Sequence, residues 1–131
     1  MAKTEKIKLD NVSIEGFSGD YVFETIKKTN DYYEGGLLKK WLPYISSSKI
    51  VLDIGANLGN HTLFWANHLS YDKIFSFEPY RPNYERLYNN IKGNVIQNIY
   101  PICKGVGDKI GFTGIAEFHE DNYVGTTLNR T

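Results

Sequence analysis

The residues whose types and spacing carry the clearest chemical meaning are one acid, two glycines and an asparagine. They are Asp53, Gly55, Asn57 and Gly59. Backbone N–H groups in a glycine-bearing turn that opens a helix can hold an anionic group. A second acid, Glu78, closes the next apolar run and can accept hydrogen bonds from both hydroxyls of a ribose. The two features together predict a site for a nucleoside-containing ligand.

The elements that must position these residues alternate between strand and helix. Apolar runs predict three strands, at 50–54, 73–77 and 99–103. Helical periodicity follows Gly59 and again Pro82, which suits a first helical position, while Gly93 suits a helix end. Because only Asp53 interrupts the first run, we expect that strand to be covered on both faces. Right-handed crossovers then give the strand order 3-2-1, with the motif strand at one end.

The residues before this unit predict a hairpin and a helix. The segment 7–29 reads as two strands joined by the turn Ser18-Gly19-Asp20. Asn30-Asp31 offers N-cap chemistry for a helix whose apolar positions run from Leu37 to Ile45, and Pro43 should kink or shorten it. The Gly-rich tail from Gly105 suits loops and one or two edge strands. The expected fold class is α/β, a partial doubly wound (Rossmann-like) sheet preceded by an N-terminal β-hairpin and helix.

Composition narrows the function classes. The chain has 131 residues with 15 basic and 15 acidic side chains, so its formal net charge is zero. The chain has no excess of basic side chains that would attract nucleic acid or an anionic membrane, and we expect neither partner. Cys103 is the only cysteine and the three histidines lack metal-site spacing, so we expect no metal. With no apolar run of membrane length and no leader-like N-terminus, a cytoplasmic protein is expected.

The glycine spacing departs from two better-known nucleotide-binding patterns. A dinucleotide fingerprint needs a second glycine where the pyrophosphate approaches the backbone, and Asn57 occupies the position two residues after Gly55. A phosphate-binding loop of the Walker type needs Gly-Lys-Ser/Thr, which does not follow Gly59. A nicotinamide oxidoreductase domain therefore remains a weaker alternative.

The pattern resembles the S-adenosylmethionine-binding motif of class I methyltransferases, and over a longer stretch the FkbM family of methyltransferases. The strongest matching residues are 51–62, Phe77-Glu78-Pro79, Asn83, Leu87 and Asn90. Further similarity lies at Tyr33-Glu34, Leu37-Leu38, 105–108 and 125–128. The resemblance covers roughly Asp31 to the C-terminus, and the acid-glycine motif and Glu-Pro are specific as a pair.

The resemblance implies S-adenosylmethionine as cofactor and O-methylation of a small molecule or a carbohydrate. The implied cofactor-binding residues are Asp53, Gly55, Asn57, Gly59, Asn60, Glu78, Ile102 and Cys103. Glu78 would hold the ribose, the turn would hold the methionine end, and Ile102 with Cys103 would lie near the adenine. Asp53 would orient the turn or bind the methionine ammonium. No catalytic base is assigned, because His61 is better explained as a packing or capping group.

The similarity stops before the second half of such a sheet. We therefore expect residues 1–131 to form a single, incomplete methyltransferase domain, with the hairpin and helix in 1–48 and a β-α-β-α-β cofactor-binding half in 49–131. The strand at 50–54 would then be an exposed apolar edge, completed by a second copy or by a partner chain. A non-catalytic binding or interaction protein is the second alternative. The run His119-Glu120-Asp121 is expected to be a surface segment.

Overall fold

The computed structural model describes residues 3–117 and 127–128 of the chain. Its elements are β1 (Thr4–Leu9), β2 (Val12–Phe17), α1 (Tyr21–Thr29), α2 (Gly35–Ile45), β3 (Ile50–Ile54), α3 (Asn60–His68), β4 (Lys73–Phe77), α4 (Arg81–Gly93), β5 (Ile99–Ile102), β6 (Ile115–Glu117) and β7 (Thr127–Leu128). In the described part of the chain, no helix combines the length and the apolar character needed to span a bilayer.

The N-terminal hairpin lies earlier in the chain than the sequence predicted. Strands β1 and β2 pair antiparallel with Leu9 opposite Val12, so the hairpin turn lies at Asp10-Asn11, and the turn at residues 18–20 joins β2 to α1. The prediction of a strand after Asp20 was wrong, because α1 occupies that segment. Asp20 caps this helix, since its Oδ1 accepts a hydrogen bond of 3.0 Å from the backbone N–H of Phe23. The buried residues of α1 are Val22, Phe23 and Ile26, which share one helical face.

Helix α2 was predicted correctly in its position, but its boundaries follow other rules. Glu34 is the N-cap residue, in left-handed conformation and without a side-chain cap bond. Asp31 instead accepts a hydrogen bond from the backbone N–H of Tyr32 and pairs with Lys39, so it does not cap α2. Pro43 lies inside the helix, which continues to Ile45.

Three parallel strands form the central sheet in the order β3-β4-β5. Ile54 lies opposite Phe77, and Phe77 lies opposite Ile102, so the carboxyl ends of all three strands meet at one edge. Motif strand β3 stands at the end of the trio. The expected fold class, a partial doubly wound sheet with order 3-2-1, is confirmed.

One face of this sheet is covered by α3 and α4, and the other is open in the described residues. Ile74 and Ile99 are buried against Leu87 and Ile91 of α4. On the opposite face the side chains of β3 are about three-fifths exposed, at Ile50 (61%), Leu52 (60%) and Ile54 (60%). The expectation that β3 is covered on both faces is therefore wrong for the described part of the chain. Successive strand residues point to opposite faces, and both crossover helices pack on one of them.

A second core joins the N-terminal elements to α3. Its members are Leu9, Val12, Ile14, Val22, Phe23, Ile26, Tyr32, Leu38, Leu58, Leu63 and Phe64. Leu58 belongs to the motif turn, so this core anchors the turn from the side of the hairpin. The motif thus lies between two packed clusters, which fixes its position relative to the sheet.

Candidate functional site

The turn between β3 and α3 has a left-handed backbone at three of its residues. The φ angles are +81° at Gly55, +51° at Asn57 and +97° at Gly59. Glycine adopts this region without a steric penalty, and asparagine tolerates it better than most residues. The turn is tied to β4, because the backbone N–H groups of Gly55 and Ala56 both donate to the Phe77 carbonyl at 2.9 Å.

Glu78 joins the end of β4 to the same turn. Its Oε2 accepts a hydrogen bond of 2.9 Å from the backbone N–H of Asn57, and its Oε1 accepts one of 2.8 Å from the N–H of Tyr80. The residue is only 6% exposed. Burial raises the pKa of the Glu78 carboxyl, and the two backbone hydrogen bonds oppose that rise. An ionised carboxylate offers about four lone-pair positions, so the two oxygens retain acceptor capacity for two hydroxyl groups.

Asp53 is a second buried acid, and two hydroxyl groups extend from it into the core. The Thr62 hydroxyl donates to Asp53 Oδ2 at 2.5 Å and lies 2.7 Å from the Ser76 hydroxyl. Burial raises the pKa of the Asp53 carboxyl, and the hydrogen bond from Thr62 opposes that rise. The chain of hydroxyls crosses from β3 to α3 and β4, so it fixes Asp53 against both neighbouring elements.

Helix α3 begins directly under the turn, with Gly59 as its N-cap residue. The first N–H groups of a helix have no carbonyl partner within that helix, and they carry the positive end of its dipole. Gly59 also allows close packing, since a Cβ atom there would lie 3.0 Å from Leu87 Cδ1. The start of α3 is therefore suited to a carboxylate.

Asn60, expected to bind the cofactor, and His61, expected to be a packing or capping group, both contact the loop before α2. The Asn60 amide pairs with Tyr33 at 2.9 Å in both directions, accepting from its backbone N–H and donating to its carbonyl. His61 Nε2 lies 3.2 Å from Glu34 Oε2, and both side chains are partly exposed. Tyr33-Glu34 thus lies beside the start of α3, while contact of Asn60 with a cofactor stays a prediction.

Ile102 and Cys103 lie at the carboxyl end of β5, and both are half-buried. The Cys103 thiol points toward the Pro79 carbonyl, with Sγ 4.0 Å from the oxygen. A groove of about 180 Å³ opens at the ends of the strands, next to these residues. Its lining residues are Ile54, Gly55, Phe77, Pro79, Lys104, Gly105 and Val106. The proximity of Ile102 and Cys103 to an adenine ring stays a prediction.

Sequence reasoning missed the supporting side chains of this site. Thr62 and Ser76 were not identified as partners of Asp53, although Thr62 stands three residues after the N-cap Gly59, where a side chain can turn back toward the strand. Asn90 was noted only as part of the family resemblance. The segment His119-Glu120-Asp121 and the first residues of the family-like turn at 125–128 lie outside the described residues.

Comparisons with known proteins identify the fold. No protein-family model matches the chain, and neither does any curated protein sequence. The chain is similar to Trm5b from Pyrococcus abyssi, with a TM-score of 0.57, 14% identity, and coverage of 79% of this chain and 28% of that one. It is similar to TYW2 from M. jannaschii in complex with AdoMet, with a TM-score of 0.54, 18% identity, and coverage of 78% and 43%. Trm5 from Methanocaldococcus jannaschii in complex with adenosine gives a TM-score of 0.55, 19% identity, and coverage of 79% and 30%.

These comparisons correct one expectation about partners. A further similar structure, with 18% identity, is a tRNA m1G37 methyltransferase from M. jannaschii. The expectation of a small-molecule or carbohydrate acceptor with no nucleic acid is therefore wrong, because it conflicts with the finding that a tRNA methyltransferase is among the structures to which this chain is similar. The exclusion of nucleic acid rested on a net charge of zero, which describes the whole chain and says nothing about where charges lie on its surface. The small-molecule or carbohydrate acceptor rested on the resemblance to FkbM proteins.

The similarity has a defined extent. At identities of 14–19% it establishes the fold, and the chain spans 28–43% of the length of these solved structures. No family model supports the resemblance to FkbM proteins, which stays a prediction. The chain therefore shares with these solved structures the fold that contains the three-stranded parallel sheet β3-β4-β5.

Proposed function

We propose that this chain binds S-adenosylmethionine at the carboxyl edge of β3 and β4, as part of a methyltransferase with the motif of the FkbM family. The observation that carries the proposal is the 2.9 Å hydrogen bond between Glu78 Oε2 and the backbone N–H of Asn57. It joins the acid suited to a ribose and the turn suited to an amino-acid carboxylate into one continuous site.

The residues present fit such a ligand. Glu78 is held by two backbone N–H groups and keeps acceptor capacity for two ribose hydroxyls. The start of α3 after Gly59 offers N–H groups for the methionine carboxylate. Asp53 is fixed by Thr62 and can orient the turn or meet the methionine ammonium. The groove lined by Ile54, Phe77, Pro79 and Val106 offers an apolar surface for the adenine.

The proposal receives support from two similar structures whose own ligands belong to this chemistry. One is TYW2 in complex with AdoMet, and the other is Trm5 in complex with adenosine. The resemblance of the sequence motif to the FkbM family, drawn from the residues alone, points to the same cofactor. A nicotinamide cofactor is less suitable, because Asn57 brings a side chain to the position where a pyrophosphate would approach the backbone.

S-adenosylmethionine, when bound, supplies an activated methyl group for transfer to a nucleophile. The role of this chain is to hold the donor in a fixed orientation, because methyl transfer depends largely on the alignment of donor and acceptor. The first acceptor to test is tRNA, since the similar structures include tRNA methyltransferases. A filter assay that follows a labelled methyl group into total tRNA measures this transfer. Binding of the donor without transfer would favour the alternative of a non-catalytic binding protein.

Calorimetry with S-adenosylhomocysteine tests cofactor binding directly. Replacing Glu78 with alanine removes the ribose acceptor, and loss of charged hydrogen bonds of about 1.5–3 kcal/mol should weaken binding by at least about tenfold. Glu85→Ala is the matched control, because Glu85 lies on α4 and pairs with exposed Arg81. Glu78→Gln provides a second variant if the alanine variant does not fold. Binding of NADH without S-adenosylhomocysteine, or equal affinities for all variants, would refute the proposal.

A further inference from the structure

Asn90 connects the N-terminal hairpin to the motif turn through one buried amide. Its Oδ1 accepts a hydrogen bond of 2.7 Å from the backbone N–H of Glu15 in β2. Its Nδ2 donates to the Glu15 carbonyl at 2.9 Å and to the Leu58 carbonyl at 2.7 Å. The residue is 3% exposed, and both donors and the acceptor of its amide are used. A buried amide with full hydrogen bonding holds its partners in a single arrangement.

Leu58 lies in the motif turn, directly before the N-cap Gly59. On α4, Leu87 precedes Asn90 by three residues, so the two side chains lie on one helical face. Leu87 Cδ1 lies 3.0 Å from the position a Cβ atom would take on Gly59, and Asn90 bonds the neighbouring carbonyl. Helix α4 therefore contacts two consecutive residues of the turn, Leu58 and Gly59.

We propose that Asn90 is a positioning residue, which sets the conformation of the motif turn so that the N–H groups at the start of α3 face the ligand. It contacts the turn through Leu58 and has no assigned contact with the cofactor. The effect on affinity rests on the function proposed above, whereas the effect on the turn itself can be measured without any ligand.

The chain contains a matched control one helical turn away. Asn94 pairs with Ser13 of β2, accepting from its N–H at 2.6 Å and donating to its carbonyl at 2.7 Å. Its second donor hydrogen bond goes to the Asn90 carbonyl on its own helix, also at 2.7 Å. The two asparagines thus make the same bonds to the hairpin, but only Asn90 bonds the motif turn.

The test compares Asn90→Ala and Asn94→Ala by amide hydrogen exchange in the ligand-free protein and by calorimetry with S-adenosylhomocysteine. We expect faster exchange across residues 55–60 only in Asn90→Ala, with affinity lower by at least about tenfold. Asn94→Ala should keep its affinity within about twofold while losing protection in β2. Asn90→Ser, which introduces no charge at this buried position, serves if Asn90→Ala does not fold.

The two measurements separate the possible failures. Equal exchange at residues 55–60 in the Asn90 and Asn94 variants would overturn the positioning role. Equal affinities in the two variants, with faster exchange only in Asn90→Ala, would overturn the link from the turn to the ligand. A wild-type protein that binds no S-adenosylhomocysteine, but whose turn still loosens only in Asn90→Ala, would refute the proposed function and support Asn90 as the residue that orders the turn.

Discussion

The Glu78 carboxylate lies 2.9 Å from the backbone nitrogen of Asn57, although the two residues are separated by a complete helix and strand. This bond joins the second strand of the sheet to the turn that follows the first. Together with the hydrogen bond from the Tyr80 N–H, it explains how a buried acid is tolerated at a strand end, because the two backbone N–H groups replace part of its hydration. The proposed site depends on this contact, and the residues around it give testable consequences.

The burial of Glu78 predicts a pH dependence of stability. Burial raises the pKa of its carboxyl above the ordinary 4.5, so the folded protein binds more protons than the unfolded chain above that pH. The contribution to stability is present at lower pH and is lost as pH rises through the raised pKa. As pH rises above 4.5, the wild type should lose this contribution, whereas Glu78→Gln has no carboxyl to titrate. We therefore expect the free energy of unfolding of Glu78→Gln to increase relative to that of the wild type. Urea denaturation across this range measures the difference, and a constant or shrinking difference would contradict the prediction.

Gly59 combines a left-handed backbone with a close neighbour. Its φ is +97°, and a Cβ atom would lie 3.0 Å from Leu87 Cδ1. We expect Gly59→Ala to lower the free energy of unfolding by about 1–3 kcal/mol, measured by denaturant titration. The control is Gly36→Ala, since Gly36 lies inside α2 with open space around it. This control should be neutral or stabilising by up to about 1 kcal/mol, so equal losses in both variants would argue against strain at Gly59.

Thr62 supports Asp53 with its hydroxyl and the core with its methyl group. Thr62→Val keeps the shape but leaves the Asp53 carboxylate without the hydroxyl donor at 2.5 Å. We expect a loss of about 2 kcal/mol in the free energy of unfolding. Thr62→Ser keeps the hydroxyl, removes one methyl group and should cost about 1 kcal/mol. Thermal and chemical unfolding of both variants checks the order, and a more stable valine variant would show that the hydrogen bond contributes little.

Asp20 caps the helix that sequence reasoning took for a strand. Its Oδ1 accepts from the Phe23 N–H at 3.0 Å, and the residue is buried. Asp20→Ala should lower the free energy of unfolding by about 1 kcal/mol, as for other N-cap residues, while Asp20→Ser should retain most of the stability. Circular dichroism during denaturation measures both variants. Equal stabilities of the alanine and serine variants would contradict the capping role.

The backbone geometry at the proposed site follows local rules that can be applied to the sequence. The positive φ angles fall at Gly55, Asn57 and Gly59, where residue types that tolerate them stand in the sequence. Glu78 follows an apolar strand, and Pro79 comes directly after it. The fold class followed from the alternation of strands and helices, since right-handed crossovers leave few arrangements of three parallel strands.

The segment of α1 was predicted as a strand, although its sequence carries the signals of a helix. Asp20 followed by the acid Glu24, with Lys27 and Lys28 in the last turn, is the charge pattern of a capped helix. The apolar residues of this short segment were matched to a strand next to an apparent glycine turn. Over nine residues the apolar pattern alone separates helix from strand poorly.

The amino-acid sequence by itself determined strand β3, the turn that follows it and the position of Glu78 at the end of β4, because each depends on the preferences of neighbouring residues. Only the tertiary structure decided which side chains support them. Asn90 meets Glu15 across 75 positions of the chain, and Asn60 meets Tyr33 across 27. It also decided that one face of β3 stays exposed in the described residues. Such pairings depend on the packing of distant elements, and an asparagine has the same local preferences whether its amide reaches a backbone group or water.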